Sequence, residues 1–308
     1  MINIYKKTLK DTKLKKIKAF EKGSWISVVN PDIDEIERLE KELGLDLTIV
    51  EDALDENELS RVEKNDGIFY MIIRFPTQSD SIAGTITLPL LVVITDDNII
   101  TLSKEENNII NNIAKKFPHF YTVHKTNFLM KIIIEVFNSY DKYLNRILKD
   151  IKIKKIKIDN LNNKDILFLV QEEETLNDFE SSIVPIISNL ERMLSGRYIH
   201  IYKKDKDEIE DLFMDSKQTL EISRVALKSI KNIREAYSTI LTNELNRVIK
   251  ILTIATIVLT IPTIISSIYG MNVPLPLDHS PFAFLYVMLL IVFMSVAFLW
   301  LLIRRRWI

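Results

Sequence analysis

The stretch VIKILTIATIVLTIPTIISSI, residues 248–268, decides how this chain is organised. It is about 21 residues long and carries one charge, Lys250, near its start. At 1.5 Å per residue such a helix spans a hydrocarbon core of ~30 Å. A second run of the same length, 283–303, has no charge at all. A pair of buried soluble helices is the competing reading, and two apolar runs of this length argue against it. The flanks orient the pair. Arg247 and Lys250 stand at the head of the first run and Arg304, Arg305 and Arg306 follow the second, whereas the loop 270–280 has no lysine or arginine. The excess of positive charge on one side predicts both termini in the cytoplasm and the loop outside.

The rest of the chain has the opposite character. Of 308 residues with a formal net charge of −1, nearly all the charged ones precede residue 251, and 251–303 holds only Asp278. A net charge near zero gives no sign of nucleic-acid binding. The absence of cysteine excludes a disulfide frame or a thiolate metal site. The opening MINIYKKTLKDTKLKK has no apolar run after its charges, so no secretory leader is expected.

Within the first apolar run, Thr253, Thr256, Thr260, Thr263 and Ser267 recur at helical steps and form one stripe. These hydroxyls either bond back to the helix's own carbonyls and glue helices together, or line water. The reading favours a water-facing wall, because the stripe runs into the loop and Pro262 frees the Val258 carbonyl for a threonine or water to satisfy. Two helices cannot enclose a pore, so a water-lined span requires several copies around one axis.

Upstream, 197–261 contains neither glycine nor proline and is rich in Glu, Lys, Leu, Ile and Ala. A helix of ~65 residues would extend ~100 Å, which suggests a stalk running unbroken into the membrane. Residues 1–125 alternate in type. Strand compositions at 24–30, 68–75, 86–95 and 98–102 are interspersed with helices at 32–43, started by Asn30-Pro31-Asp32 and stopped by Gly44, and at 107–116. The expected fold is α+β: a cytoplasmic α/β domain with a mixed sheet (1–125), a helical hairpin (126–196), a stalk helix (197–247) and a two-helix membrane domain (248–308). In the hairpin, two long helices at 127–158 and 164–195 are expected, with a kink at Pro185. The first ends in LKDIKIKKIKI (148–158), read as a solvated amphipathic face, with contact to anionic headgroups as the other possibility.

No catalytic constellation is found. His119, His124, His200 and His279 lack ligand spacing, and no phosphate loop or nucleophile motif occurs. The segment DKDEIEDLFMD places Asp205, Asp207, Glu208, Glu210, Asp211 and Asp215 near the stalk's start. These acids suit a helix N-terminus. Repeated around an assembly axis, they would also repel one another until bridged by a divalent cation.

YGMN (269–272), at the exit of the first of two terminal spans, together with the closing RRRWI (304–308), resembles the signature of the CorA family of magnesium and divalent-cation transporters. The resemblance covers the whole layout. It implies a homopentameric funnel in the cell membrane, with the bilayer and its own copies as partners, no nucleic acid, and hydrated divalent cations as the only substrates. It implies that Gly270, Met271 and Asn272 form the selectivity filter at the outer mouth. The family's pore-facing positions fall on Asn246, Ile249, Leu252, Thr256, Thr260 and Thr263, mostly on the stripe that also includes Thr253, with Ile249 and Leu252 as the apolar constriction. Asp211 matches a stalk carboxylate of a regulatory Mg²⁺ site between subunits, with Asp207 and Asp215 beside it and Asp80 as the candidate partner. Arg304, Arg305 and Arg306 form a basic collar. The loop VPLPLDHSP departs from the Met-Pro-Glu-Leu type found in part of the family. Asp278 would supply its negative charge, and His279 raises Co²⁺, Ni²⁺ or Zn²⁺ as alternative cargo. The function expected is potential-driven Mg²⁺ influx gated by intracellular Mg²⁺, with a membrane-anchored scaffold or sensor as the remote alternative.

Overall fold

The computed structural model describes residues 1–79, 84–116, 120–156, 158, 161–196, 198, 203–273, 275–276 and 281–305. It divides into two compact units, Met1–Ile233 and Arg234–Ile308. The first contains β1 (Ile2–Lys6), β2 (Lys15–Ile17), β3 (Ser24–Val29), α1 (Ile33–Leu43), α2 (Leu47–Asp52), β4 (Arg61–Asn65), β5 (Ile68–Ser79), β6 (Gly84–Ile94), β7 (Ile99–Ser103), α3 (Asn108–Lys116), α4 (Lys125–Ile156) and α5 (Asn163–Leu194). Helix α6 (Lys203–Tyr269) starts in the first unit and ends in the second, where α7 (Ala283–Arg304) follows.

Period-2 alternation builds the sheet. Along β5, Phe69, Met71, Ile73 and Phe75 enter one core, whereas Tyr70 and Ile72 enter the other. The same division separates Leu90 and Val92 from Leu91 and Val93 on β6. A strand buried on both faces reads as a continuous apolar run, which is why these central strands are visible in the sequence. The order is β2-β1-β3-β7-β6-β5-β4; β3 and β7 pair in parallel and every other pair is antiparallel, so the sheet is mixed, as expected. The edge strands β2 and β4 and the neighbouring β1 escape the sequence reading. Of β4 (RVEKN) only Val62 is buried, and Arg61 is held in ion pairs by Asp52 and Glu63. Charged outward positions are how edge strands avoid pairing with other chains, and they erase the apolar signal.

Helices cover both faces. Leu39 of α1 and Ile49 and Val50 of α2 pack on one, and α3, α4 and α5 on the other. Asp32 caps α1 through a capping box with Glu35, and Gly44 ends it at φ 67°, matching the start and stop signals in the sequence. Helix α5 continues through Pro185. It is tied to the sheet by a buried Thr87–Ser182 hydroxyl pair at 3.0 Å, and Tyr140 of α4 donates to the Arg74 carbonyl at 3.0 Å. Burial raises the Tyr140 phenol above its ordinary range, so it stays a donor. The first part of α6 packs on the same core through Ile209, Leu212, Leu220, Ala226, Leu227, Ile230 and Ile233.

Gly23, just before β3, joins two parts of this unit. Its N–H donates to the Asp97 carbonyl at 2.7 Å and its carbonyl accepts from Thr122 Oγ1 at 2.6 Å. At φ +75° an added Cβ would sit 2.7 Å from Val123 Cγ1. Gly23→Ala is therefore expected to lower the unfolding free energy of this unit by about 1–3 kcal/mol, through left-handed strain plus overpacking. Gly84→Ala, with nothing within 4 Å of its Cβ, should cost less than about 1 kcal/mol. Urea unfolding of both variants measures the difference.

Candidate functional site

The second unit positions the expected filter at the end of a long helix. The last turn of α6 closes with Gly270 N–H donating to Ser266 O at 3.0 Å and Met271 N–H to Ile268 O at 3.2 Å. A side chain on Gly270 would approach Ser266 O to 3.2 Å, so glycine lets the chain leave the helix tightly there. Met271 and Asn272 are exposed directly beyond this turn, and the Asn272 amide has no hydrogen-bond partner among the described residues. Tyr269 Oη donates to Pro276 O at 3.4 Å and draws the loop back toward the helix end. The helix terminus brings its partial negative charge to this point. Asp278, expected to add a full charge, lies outside the described residues, as do Arg306 and Asp80. Arg304 and Arg305 are exposed at the far end of α7, with the Arg304 guanidinium 5.1 Å from the Trp300 ring centre.

The two faces of the membrane part of α6 differ sharply. Ile254, Val258, Ile261 and Ile265 are buried or half-buried and share one side. On α7 the shielded residues Ala283, Val287, Ile291, Ser295 and Leu302 form a corresponding stripe. The opposite side of α6 is open: Asn246, Ile249, Leu252, Thr253, Thr256, Thr260, Thr263 and Ser267 are all exposed, with Leu252 at 67% and Ile249 at 51%. The expected pore positions thus lie on the side opposite this shielded stripe, within a wider exposed surface that also includes Ile251, Ala255, Ile257, Leu259 and Ile264.

The threonine hydroxyl hydrogens on that face are engaged. Thr253, Thr256, Thr260 and Thr263 donate to the carbonyls of Ile249, Leu252, Thr256 and Leu259 at 2.8, 2.9, 2.8 and 3.0 Å. The back-bonding alternative therefore describes where these protons go, while the stripe still faces outward. None of the four serves the Val258 carbonyl that Pro262 frees. Val258 is on the shielded side, away from the threonines.

In the first unit, α4 and α6 border a cavity of about 470 Å³, lined among others by Asp141, Glu208, Asp211 and Asp215. The structure brings Asp211 and Asp215 to this cavity; Asp207 is exposed nearby but not part of its lining. Sequence reasoning missed Asp141, which is far from the others along the chain. It accepts a hydrogen bond from Thr219 Oγ1 at 2.9 Å. Burial raises its carboxyl above the usual range, the Thr219 bond opposes this, and the Asp215 charge adds to it. Glu208 accepts from Asn127 and pairs with Lys131. Among the described residues of one chain, no cluster of three or more acids or histidines can hold a metal ion. A divalent cation at Asp211 would complete its shell with water or with ligands from another copy.

Comparisons with known proteins agree with this architecture. A family model described as "CorA-like Mg2+ transporter protein" matches residues 20–305. The cobalt/magnesium transport protein CorA of Methanocaldococcus jannaschii is 26% identical over 292 residues, 92% of this chain and 91% of that protein. The solved structure of the complete CorA magnesium transporter from the same organism aligns with a TM-score of 0.87 at 23% identity, over 100% of this chain and 99% of that one. The full-length CmaX protein aligns with a TM-score of 0.74 at 14% identity, over 99% and 96%. These structural likenesses establish the fold, and the family match spans both the sheet domain and the two apolar helices. The chain belongs to the CorA family of membrane-embedded divalent-cation transporters, and transport rather than catalysis is its business.

Proposed function

We propose that this chain is a Mg²⁺ channel that assembles as a homopentamer in the cell membrane, with both termini cytoplasmic. Five copies of the membrane part of α6 surround the axis, and Gly270, Met271 and Asn272 form the outer mouth. The observation that carries this reading is the open side of α6: Asn246, Ile249, Leu252 and the threonines lie opposite the shielded stripe and lead to Asn272, whose amide has no partner among the described residues. A single copy leaves large apolar side chains such as Leu252 and Leu259 (69%) exposed, which other copies or lipid must cover. The name of the M. jannaschii relative supports magnesium as cargo and keeps cobalt as the second reading; nickel or zinc would use the same architecture.

The chemistry suits a hydrated ion. Mg²⁺ sheds water reluctantly, so neutral amide oxygens that hold its water shell allow both entry and release. Five carboxylates at the mouth would hold it too long. An inside-negative potential of 100 mV gives a doubly charged ion about 4–5 kcal/mol of inward drive, so no second energy source is needed. Ile249 and Leu252 would close the path by dewetting. Intracellular Mg²⁺ bridging Asp211, with Asp207 and Asp215 beside it and Asp80 of a neighbouring copy, would draw the copies together. Losing Mg²⁺ would leave like charges to push them apart and open the constriction. The four-part domain division and the collar of Arg304, Arg305 and Arg306 belong to the same proposal, with Asp278 as the outer charge.

Two measurements follow. Uptake of Mg²⁺ into proteoliposomes under an inside-negative potential should be at least about tenfold slower for Asn272→Ala than for wild type, with the assembly intact. Equal uptake would remove the triplet from the mouth, and no uptake by wild type would turn attention to Co²⁺, Ni²⁺ and Zn²⁺. Asp211→Ala should require about tenfold more Mg²⁺ for the same protection from limited proteolysis. An unchanged Mg²⁺ dependence would exclude Asp211 as a regulatory ligand.

A further inference from the structure

The first unit carries opposite charge at the two edges of its sheet. Residues 6–22, which run through the β1–β2 edge, hold eight lysines against Asp11 and Glu21, a net charge of +6. Residues 46–66, which lead into β4 at the other edge, hold eight acids against Arg61 and Lys64, a net charge of −6. Internal pairing uses only part of either set. Lys6, Lys15 and Lys22 pair with Glu21, Asp11 and Asp97, and Lys7 is buried against the rings of Phe120 and Tyr121. Lys10, Lys13, Lys16 and Lys18 are exposed and have no ion-pair partner among the described residues. At the other edge Asp52, Glu58 and Glu63 hold Arg61, and Glu56 holds Lys104. Glu51, Asp55 and Asp66 are exposed without such a partner among the described residues. Each edge also sets a large apolar side chain in the open, Leu9 at 65% and Leu59 at 60%.

Charges on an edge strand keep other chains from pairing with it. That device works with either sign, and mixed signs serve as well as one. It does not account for cations gathered at one edge and carboxylates at the other. A polyanion would use the lysines and leave the acids without a role. Two copies of this chain use both. Like edges repel, which disfavours a twofold contact; unlike edges attract, and their contact is head-to-tail, the kind that closes into a ring. An exposed leucine within each charged patch supplies the desolvated centre that such a contact needs.

We propose that the β1–β2 edge of one copy docks on the β4 edge of the next, with Lys10, Lys13, Lys16 and Lys18 facing Glu51, Asp55 and Asp66. The proposal rests on the reading that the chain assembles as a homopentamer. Because the chain lacks cysteine, Thr12→Cys and Asn57→Cys place one thiol at each edge, both exposed, without altering any charge. Seven strands set the edges roughly 29 Å apart, so a short bis-maleimide cannot link them within one chain. The full-length doubly substituted protein is purified in detergent, and its mass is read first by light scattering. A monomer overturns the pentamer reading, and this contact with it. In a pentamer the linker should give a ladder from two to five joined chains on a denaturing gel, and neither single variant should link. Adding Lys16→Glu and Lys18→Glu should lower the linked fraction at least about threefold, and adding Glu51→Lys and Asp55→Lys to those should restore it. A pentamer whose doubly substituted chains stay unlinked would overturn the docking of the two edges. So would linking by either single variant, or a loss that the exchanged charges fail to restore.

Discussion

Helix α6 changes solvent partway along its length without changing its backbone, and the rest of the structure accommodates that constraint. In the first unit it buries Ile209, Leu212, Ala226, Ile230 and Ile233 against the core. Between Arg234 and Ile264 no residue is buried. An isolated helix draws little net stability from its own hydrogen bonds, because nucleation is costly and water competes. The exposed Leu241, Leu245, Val248 and Leu252 return at steps of four, three and four residues, the spacing of a seam between helices. Burying such side chains is worth about 1.5–3 kcal/mol each, a large sum when several copies do so together. In the proposed assembly, association and helix stability would be the same problem for this segment.

The membrane part resolves a related conflict. Its threonines are polar groups in an apolar segment, and each directs its hydroxyl hydrogen to a carbonyl one turn back. That bond keeps the helix tolerable in hydrocarbon. Pro262 withholds its N–H from the carbonyl of Val258, a residue of the shielded side, so the backbone irregularity and the polar stripe lie on opposite faces.

Much of this was legible because it is periodic or local. The nearly unbroken apolar run of 68–75 identifies a strand buried on both faces, the Asp32 and Gly44 pair brackets α1, and the threonine spacing marks a single helical face. Edge strands were not legible: β4 is charged because it is an edge, and β2 is three residues long. The six-residue α2 is too short to show a helical period. In the candidate site, Gly270-Met271-Asn272 could be found from its position after an apolar run. Asp141 could not, since only the parallel packing of α4 and α6 brings it beside Asp215. Which residues of the α6 span are shielded was also hidden, because those off the threonine stripe are almost uniformly apolar.

The back-bonded threonines set a polarity of their own. A hydroxyl has one hydrogen, and at Thr253, Thr256, Thr260 and Thr263 that hydrogen is spent on the helix, leaving only lone pairs to face outward. Such a wall accepts hydrogen bonds and cannot give them. The water shell of a cation turns its hydrogens outward and matches that wall along its whole length; the shell of an anion turns oxygens outward and finds no donor. The sign of the ion would then be discriminated by proton placement, with no fixed charge on this face of the span.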